Sequence, residues 1–311
     1  MKKTLVIGTR GSALALWQAE HVQARLKKRF RDLDVELRII KTKGDKILDQ
    51  SLSKIGDKGL FTREIEHALL KKTVDIAVHS LKDLPTETPA GLTIAAISTR
   101  EEVNDVLIST KWKSIADLPE GAVIATGSLR RTAQLRHLRP DLQIIDIRGN
   151  LNTRMQKFDA SEWDGMMLAY AGVKRLGWEH RIAQVIPTSL VLPAVGQGAL
   201  GIEIRDGDTE TAKYVASLND EESAAAAMAE RALLRTLEGG CQIPIGAYAR
   251  RIGSRLTLDA MVASIDGTIR LDTRGTTTDF SHAAELGVRI ANKLLANGAR
   301  EILDAIRSSE A

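Results

Sequence analysis

The amino-acid sequence predicts an α/β fold in three domains: two similar α/β domains and a smaller α+β domain at the C-terminal end. Its 311 residues exceed the size at which one hydrophobic core usually stays undivided. Short β-rich runs alternate with amphipathic stretches in two separate series, which is typical of βα units with a mainly parallel sheet. After residue 209 the pattern changes to a long helix followed by alternating strands.

Each series predicts three strands with helices between them. The first places strands at residues 5–7, 35–40 and 74–78, and helices at residues 12–30 and 61–71. The second places strands at residues 122–125, 144–147 and 166–169, and helices at residues 129–138 and 151–158. We therefore expect domain 1 to comprise residues 1–98 with 199–217, and domain 2 to comprise residues 104–193.

Domain 3 is expected to span residues 221–311. A helix over residues 221–238 ends at Gly239 and Gly240, as a helix stop should. Alternating polarity predicts antiparallel strands, with Asp266 and Gly267 as a hairpin turn, and two helices then close the chain. The strands are expected at residues 247–250, 256–263 and 268–272, and the helices at residues 280–295 and 299–306.

The composition is that of a globular protein, with 43% hydrophobic and 27% charged residues. A single cysteine excludes an internal disulfide and a cysteine-based metal site, which fits a reducing compartment. The apolar run near the N-terminus is only about five residues long before Thr9 and Arg10, which is too short for a secretory signal. Residues 182–202 carry no charge, but their prolines and glycines make a membrane span a poor interpretation. We expect a cytoplasmic protein.

Positive charge is concentrated between residues 126 and 154. This segment holds six arginines and two acids, a surplus of four charges that equals the surplus of the whole chain. Guanidinium groups present a planar fork of donors that suits carboxylate or phosphate groups. A solvated basic helix face would show the same pattern, so charge alone does not decide between the two interpretations.

Two turns lie where a strand ends and a helix begins, at residues 9–12 and 126–131. Each combines a serine suited to helix capping with arginine, Ser12 with Arg10 and Ser128 with Arg130 and Arg131. Helix N-termini attract anions because their first N–H groups are unpaired. One such turn usually only caps its helix, but two in matching series favour an anionic ligand.

Two further segments hold residues of chemical interest. Residues 79–85 follow a predicted strand and place Lys82 beside Asp83; an exposed ion pair on a surface turn is the alternative interpretation. Cys241 follows the Gly239-Gly240 helix stop. A lone cysteine is usually an inert small hydrophobe, but a loop at a helix exit can present its thiol to a ligand.

Taken in order, these segments resemble the hydroxymethylbilane synthase (porphobilinogen deaminase) family over nearly the whole chain. The most specific are residues 79–85 and residues 230–246, the latter similar to the family's cofactor-attachment signature. Supporting segments are residues 10–18, 128–131, 148–150 and 192–199. The resemblance implies two α/β domains of the periplasmic-binding-protein type flanking a cleft, and a cysteine loop that reaches in from the third domain.

The resemblance also implies the reaction. The family condenses four porphobilinogen molecules head to tail, with loss of ammonia, and releases linear hydroxymethylbilane for tetrapyrrole biosynthesis. A dipyrromethane cofactor, held by a thioether to the cysteine that matches Cys241, primes the chain. The implied protein is a cytoplasmic monomer that acts on a small molecule and has no nucleic-acid or membrane partner.

Matching positions imply individual roles. Asp83 and Lys82 match catalytic residues, and Asp83 would stabilise the cationic azafulvene left by ammonia loss and relay protons. Each pyrrole ring carries an acetate and a propionate, so fixed cations would offset their mutual repulsion. The implied cofactor-binding residues are Cys241, Asp83, Lys82, Ser128, Arg130 and Arg131. The implied substrate-binding residues are Arg10, Ser12, Arg148, Arg154 and Arg175. Arg136 and Arg139 match no such role and are expected to be surface charges.

Two segments depart from the family pattern. Residues 101–105 stand where relatives commonly have an acidic-proline-arginine-aspartate run, near the expected hinge between domains 1 and 2. Gly127 stands where a hydroxyl residue is frequent. These differences bear on domain motion and on fine cofactor contacts rather than on the reaction.

Two other classes of protein explain part of the pattern. A non-catalytic anion-binding protein with paired α/β domains accounts for the helix-start turns and the arginines, but not for Cys241 or the third domain. A nucleic-acid-binding protein is suggested by residues 126–154. Aromatic residues make up only 4% of the chain and its remaining charge is balanced, which weakens that alternative.

Overall fold

The computed structural model describes residues 3–46, 59–237 and 243–310. Thirteen strands within these ranges are, in chain order, β1 (Lys3–Thr9), β2 (Leu33–Ile39), β3 (Ile76–Ser80), β4 (Leu92–Ile97), β5 (Asp105–Ile108), β6 (Val123–Ala125), β7 (Gln143–Ile145), β8 (Gly165–Ala169), β9 (Ile182–Val185), β10 (Leu200–Arg205), β11 (Ile245–Ile252), β12 (Arg255–Ala263) and β13 (Arg270–Thr277).

Ten α-helices lie within the same ranges. They are α1 (Ala13–Arg29), α2 (Lys43–Lys46), α3 (Arg63–Leu70), α4 (Leu129–Leu138), α5 (Leu151–Asp159), α6 (Tyr170–Arg175), α7 (Thr209–Val215), α8 (Glu221–Thr236), α9 (Ala283–Leu294) and α10 (Arg300–Glu310). The chain groups into two compact units. Among the described residues, unit 1 comprises 3–46, 59–101 and 198–224, and unit 2 comprises 102–197, 225–237 and 243–310.

Unit 1 is built on a five-stranded sheet in the order β2-β1-β3-β10-β4. β1 pairs in parallel with β2 and β3, whereas β10 pairs antiparallel with both β3 and β4. The core lies between the sheet and α1, whose Ala19, Val22 and Leu26 are buried. This arrangement places the ends of β1 and β3, where candidate residues lie, at the same edge of the sheet, because the two strands run in parallel.

Unit 2 contains a second five-stranded sheet in the order β7-β6-β8-β5-β9. β6 is parallel to β7 and β8, and β5 is antiparallel to β8 and β9. The expectation of mainly parallel sheets is therefore wrong for half of the strand pairs in each sheet. In both sheets, the antiparallel pairs involve strands that the periodicity did not reveal: β4, β5, β9 and β10.

Unit 2 also holds a three-stranded antiparallel sheet in the order β11-β12-β13, which packs with α8, α9 and α10. The predicted turn at Asp266-Gly267 is confirmed, because it joins β12 to β13. The third strand begins at Arg270 rather than at residue 268 and runs to Thr277. Ala133 of α4 packs against Met261 and Ala263 of β12, so this sheet contacts the arginine-rich helix.

Most predicted helices are confirmed with small shifts at their ends. α1 has Ser12 as its N-cap and Phe30 as its C-cap, and α4 spans the predicted residues. The α/β fold class is confirmed by the two five-stranded sheets with their helices. The three domain boundaries and the cleft stay predictions. Within the described residues, no helix is both long enough and apolar enough to cross a membrane.

Candidate functional site

The turn between β1 and α1 in unit 1 has the predicted capping geometry. The Ser12 hydroxyl accepts the Ala15 backbone N–H at 3.3 Å, and no acidic residue lies in the first turn of α1. The Arg10 guanidinium lies 4.2 Å from the centroid of the Phe61 ring, a cation–π distance. Arg10 and Ser12 are each partly accessible to solvent. The turn therefore presents a cation and a helix N-terminus together.

Lys82 and Asp83 lie in a single 3₁₀ turn that follows β3 directly. Leu81 and Leu84, on either side of them, are buried and anchor the turn, whereas Lys82 is half-buried and Asp83 is exposed. Ser80 at the end of β3 accepts a hydrogen bond from Gln18 of α1 at 2.8 Å. The Asp83 carboxylate is therefore exposed to solvent, and the turn that carries it is held in place by packing at the end of β3.

The second turn, in unit 2, places arginines at the start of α4. Ser128 is the N-cap residue, and its hydroxyl makes no capping hydrogen bond. Arg130 and Arg131 lie in the first turn, are only 4% and 5% exposed, and have no acidic residue beside them in that turn. Cations at a helix N-terminus oppose the helix dipole, so this arrangement favours a bound anion.

Asp105 at the start of β5 is the buried partner of both arginines. Its Oδ1 accepts from Arg131 Nη2 at 2.7 Å, and its Oδ2 lies 2.8 Å from Arg130 Nη1. Burial alone would raise the pKa of the Asp105 carboxyl, but the two guanidinium groups hold it well below its usual range. Burial lowers the pKa of Arg130, against the opposing effect of Asp105. The carboxylate is therefore ionised at neutral pH.

This buried cluster keeps unused donors. The Nε atoms of Arg130 and Arg131 are buried and have no hydrogen-bond partner among the described residues. An unsatisfied buried donor costs about 1–3 kcal/mol. Two such donors beside a cationic helix start have the chemistry to bind a carboxylate.

Arg148, Arg154 and Arg175 are all partly buried in unit 2, but the structure does not place them in the Asp105 cluster. Arg148 Nε donates to Asp146 at 2.9 Å, and Arg154 Nε donates to the Gly149 carbonyl at 2.8 Å. Arg175 is the last residue of α6. Their assignment to substrate remains a prediction.

Gly127 has a packing reason within this chain. A Cβ at that position would lie 2.7 Å from the Ile147 carbonyl oxygen and 3.0 Å from Asp146 Oδ1, closer than real Cβ atoms come to a backbone atom. A hydroxyl residue would not fit without movement of the 146–147 backbone. The glycine at position 127, where the family frequently has a hydroxyl residue, is therefore explained by the backbone after β7, which passes close to it.

The expectation that Arg136 and Arg139 are surface charges is wrong. Both are half-buried and fix the backbone. Arg136 Nη1 donates to the Ile265 carbonyl at 3.1 Å, which holds α4 against the β12–β13 turn. Arg139 pairs with Asp141 at 2.6 Å and donates to carbonyls of the 115–119 turn. Sequence spacing did not reveal these roles because the backbone carbonyls that both arginines bind are distant along the chain.

Cys241 lies outside the described residues, and so do Gly239 and Gly240. The elements on either side of them, α8 and β11, are joined by Glu230. This fully buried carboxylate accepts the Ala249 N–H through Oε1 and the Gly196 N–H through Oε2, both at 2.7 Å. Glu230 therefore fixes α8 to β11 and to the Gly-rich crossover at residues 192–199.

Sequence reasoning missed Asp105 and Gln197 as members of the arginine cluster. Gln197 Nε2 donates to Asp105 Oδ1 at 2.9 Å and to the Val103 carbonyl at 2.7 Å. The sequence signal for Asp105 was its position directly before the apolar run Val106 to Ile108. An acid at the start of a buried strand needs a cationic partner.

Comparison with known proteins adds the family evidence. Residues 5–213 match the family model described as "Porphobilinogen deaminase, dipyromethane cofactor binding domain", and residues 224–296 match "Porphobilinogen deaminase, C-terminal domain". The chain is 54% identical over 314 residues to the porphobilinogen deaminase of Chloroherpeton thalassium, with 100% of each chain covered. It is 53% identical over 311 residues to that of Chlorobaculum tepidum, with 99% of this chain and 100% of the relative covered.

Solved structures are similar at a lower level. The methionine-binding protein MetQ gives a TM-score of 0.43 and 15% identity, with 69% of this chain and 89% of that chain covered. The periplasmic VFT2 domain of Bordetella pertussis BvgS gives 0.41 and 14%, with 72% and 90% covered.

Proposed function

Because the chain belongs to the porphobilinogen deaminase family, we propose that Cys241 carries its dipyrromethane primer and that Asp83 is the catalytic carboxylate. The chain is a transferase of tetrapyrrole biosynthesis with a dipyrromethane cofactor, and it joins porphobilinogen units into linear hydroxymethylbilane. The residue roles are the part that goes further, and each is supported by a feature of the described residues.

The start of α4 fits the cofactor. A dipyrromethane made from porphobilinogen bears carboxylates on both rings, and Arg130 and Arg131 each keep a buried Nε–H that no described residue accepts. Ser128, whose hydroxyl does not cap the helix, adds a further donor at the same turn. These unsatisfied donors are the single observation that most strongly supports the proposal. A buried donor without an acceptor destabilises the folded protein, and a bound carboxylate would supply the acceptor.

The bound cofactor supplies a terminal pyrrole carbon as the nucleophile. Asp83 is exposed at the end of β3, where its carboxylate can accept a pyrrole N–H and stabilise the positive charge that develops on porphobilinogen as ammonia leaves. Lys82, its neighbour, is proposed to hold a cofactor carboxylate. The packed residues Leu81 and Leu84 keep the turn in place, so that the charge is preorganised.

The remaining cations are proposed to bind the carboxylates of substrate and growing chain. In unit 1 these are Arg10 and Ser12 at the start of α1. In unit 2 they are Arg148, Arg154 and Arg175. Arginine suits this task because its guanidinium stays protonated and can bind a carboxylate through two parallel hydrogen bonds.

Intact mass spectrometry of the purified protein tests the attachment. We expect the parent protein to exceed its polypeptide mass by one dipyrromethane, and Cys241→Ser to show the bare polypeptide mass. Ehrlich reagent should colour the parent protein and not the variant. A parent protein that has the bare mass, and that gains no pyrrole when offered porphobilinogen, would contradict the proposal.

We also propose that the protein acts as a monomer in the cytoplasm. The single cysteine suits a reducing compartment, where a thiol reserved for a cofactor is not lost to disulfides. Light scattering coupled to size-exclusion chromatography should give the mass of one chain, and a dimer mass at micromolar concentration would contradict the monomer.

A further inference from the structure

Asp105 binds two buried guanidinium groups at once, through different oxygens. Arg131 Nη2 lies 2.7 Å from Oδ1, and Arg130 Nη1 lies 2.8 Å from Oδ2. Asp105 is fully buried, and it heads β5, which is held by β8 on one side and by β9 on the other. The carboxylate is therefore itself fixed by the sheet.

Backbone carbonyls restrain the same guanidinium groups further. Arg131 Nη1 donates to the Met167 carbonyl of β8 at 3.1 Å, and Arg130 Nη1 donates to the Leu192 carbonyl. The side-chain amide of Gln134, one turn further along α4, also binds the Leu192 backbone: its Oε1 accepts the Leu192 N–H, and its Nε2 donates to the Leu192 carbonyl. Arg130 Nη1 and both terminal nitrogens of Arg131 are thus occupied by protein, whereas each Nε–H remains without a partner among the described residues.

The charges of this cluster do not balance. In the part of the chain that the structure describes, the two guanidinium groups are paired with one carboxylate, which leaves one positive charge in a buried site. A buried charge without a partner is strongly unfavourable. One further carboxylate would neutralise the cluster and accept the unused Nε–H donors.

We infer that Asp105 is a positioning residue, which holds Arg130 and Arg131 in the arrangement that receives one carboxylate of the dipyrromethane cofactor. The inference rests on the proposed function and assigns a role to a residue whose side chain is bound to the two arginines and to Gln197. Asp105 acts through those arginines and not on the cofactor directly.

Charge and positioning make opposite predictions for Asp105→Asn. If Asp105 only balanced charge, its removal would leave two uncompensated cations, and an anionic ligand would bind more readily. If Asp105 positions the arginines, the amide breaks the arrangement, because its NH₂ group is a donor that cannot accept from a guanidinium. Binding of the anionic ligand then weakens although the site has become more positive.

The experiment measures cofactor acquisition rather than turnover. Pyrrole-free parent, Asp105→Asn and Asp141→Asn proteins are offered porphobilinogen, and intact mass spectrometry follows the fraction of chains that gain the dipyrromethane mass. Asp141 is the matched control, because it also pairs with an arginine of the same unit, Arg139, but at 27% side-chain exposure. Folded protein is quantified by circular dichroism, so that rates refer to folded chains.

We expect Asp105→Asn to acquire the cofactor about tenfold more slowly than the parent, the factor that corresponds to one charge-assisted hydrogen bond. Asp141→Asn should match the parent. Acquisition by folded Asp105→Asn at the parental rate or faster would overturn the inference. A parent protein that acquires no dipyrromethane would instead refute the proposed function, so the two failures are distinguishable.

Two further variants keep the test decisive if Asp105→Asn does not fold. Asp105→Glu retains the charge but displaces the carboxylate by one methylene, and Gln197→Leu removes one donor from Asp105 without any change of charge. Positioning predicts slower acquisition in both, by about threefold or more. Parental rates in folded samples of both variants would overturn the inference.

Discussion

The carboxylate of Glu230 accepts the backbone N–H of Gly196 at 2.7 Å, and both groups are buried. Its second oxygen accepts the N–H of Ala249 at the same distance. One side chain of α8 thereby accepts hydrogen bonds from two buried backbone donors. Such donors must be paired when they are buried, so Glu230 acts as an internal brace.

Glu230→Ala should lower the free energy of unfolding by about 4 kcal/mol, because it leaves two buried N–H groups unsatisfied and removes charge-assisted bonds. Glu230→Gln keeps an acceptor and should cost about half as much. Urea unfolding followed by circular dichroism measures the change. Glu221→Ala, an exposed acid at the start of the same helix, is the control and should cost less than about 1 kcal/mol. An equal loss in both alanine variants would contradict the role of Glu230.

Asp83→Asn should reduce kcat by about a thousandfold or more, because the amide cannot stabilise a developing positive charge. The exposed position of Asp83 means that the fold and the cofactor content should not change. Porphobilinogen consumption and intact mass measure the two effects separately. Glu87→Gln, an exposed acid just after the same turn, is the control and should retain parental kcat. A kcat of Asp83→Asn close to the parental value would show that Asp83 is not the catalytic carboxylate.

Stability should depend on pH through Glu66. Burial raises the pKa of this α3 carboxyl, Thr62 lowers it, Glu203 raises it, and His79 and Arg63 lower it, with a net rise. A raised pKa means that the folded state prefers the protonated acid. The protonated Glu66 carboxyl therefore contributes favourably to the stability of the folded state at pH values below the ordinary carboxyl pKa. This contribution is lost as pH rises through the raised pKa.

Glu66→Gln should accordingly gain stability relative to the parent between pH 4 and pH 8, by about 1 kcal/mol for each unit by which the pKa is raised. Thermal unfolding at a series of pH values measures the difference. Glu36→Gln, on the exposed face of β2, should show a difference that is independent of pH. A Glu66→Gln difference as flat as that of the control would show that Glu66 is not perturbed.

The two hairpin turns of the three-stranded sheet give a matched pair of glycines, Gly253 between β11 and β12 and Gly267 between β12 and β13. Gly267 and Gly253 both have positive φ, +77° and +61°. A Cβ at Gly267 would lie 2.5 Å from the His137 backbone nitrogen of α4, whereas nothing lies within 4 Å of a Cβ at Gly253. Gly253→Ala should cost about 1 kcal/mol, and Gly267→Ala at least about 1 kcal/mol more, because the turn must move off α4. Equal midpoints of urea unfolding for the two variants would contradict this packing.

Sequence reasoning identified the elements whose signals are local. α1 was predicted from its Ser12 cap and its periodicity, and α4 was predicted with its observed ends. β10 was missed because it lies at the end of the uncharged stretch 182–202 and inserts antiparallel between β3 and β4, a pairing set by residues far away in the chain. Local patterning carries no information about such insertion.

The residues of the candidate site also differ in how far the sequence alone revealed their roles. Arg130 and Arg131 were assigned from the resemblance, and their burial and unused Nε–H groups support that assignment. Asp105 was treated only as part of a segment that departs from the family pattern, because its partners are 25 and 26 residues away. A buried polar cluster is defined by tertiary contacts, so its members become evident only in three dimensions.

The packing of α4 against the β12–β13 turn has a consequence for repeated turnover. Arg136 and His137 hold that turn through the carbonyls of Ile265 and Gly267, and α8 and β11, which flank residues 238–242, belong to the same unit as α4. A primer carried by Cys241 would keep its contacts with the start of α4 within that unit, whereas its contacts with Lys82 and Asp83 would be made by unit 1. Release of product would then leave the arginine contacts of the primer in place, so that the same primer serves successive catalytic cycles.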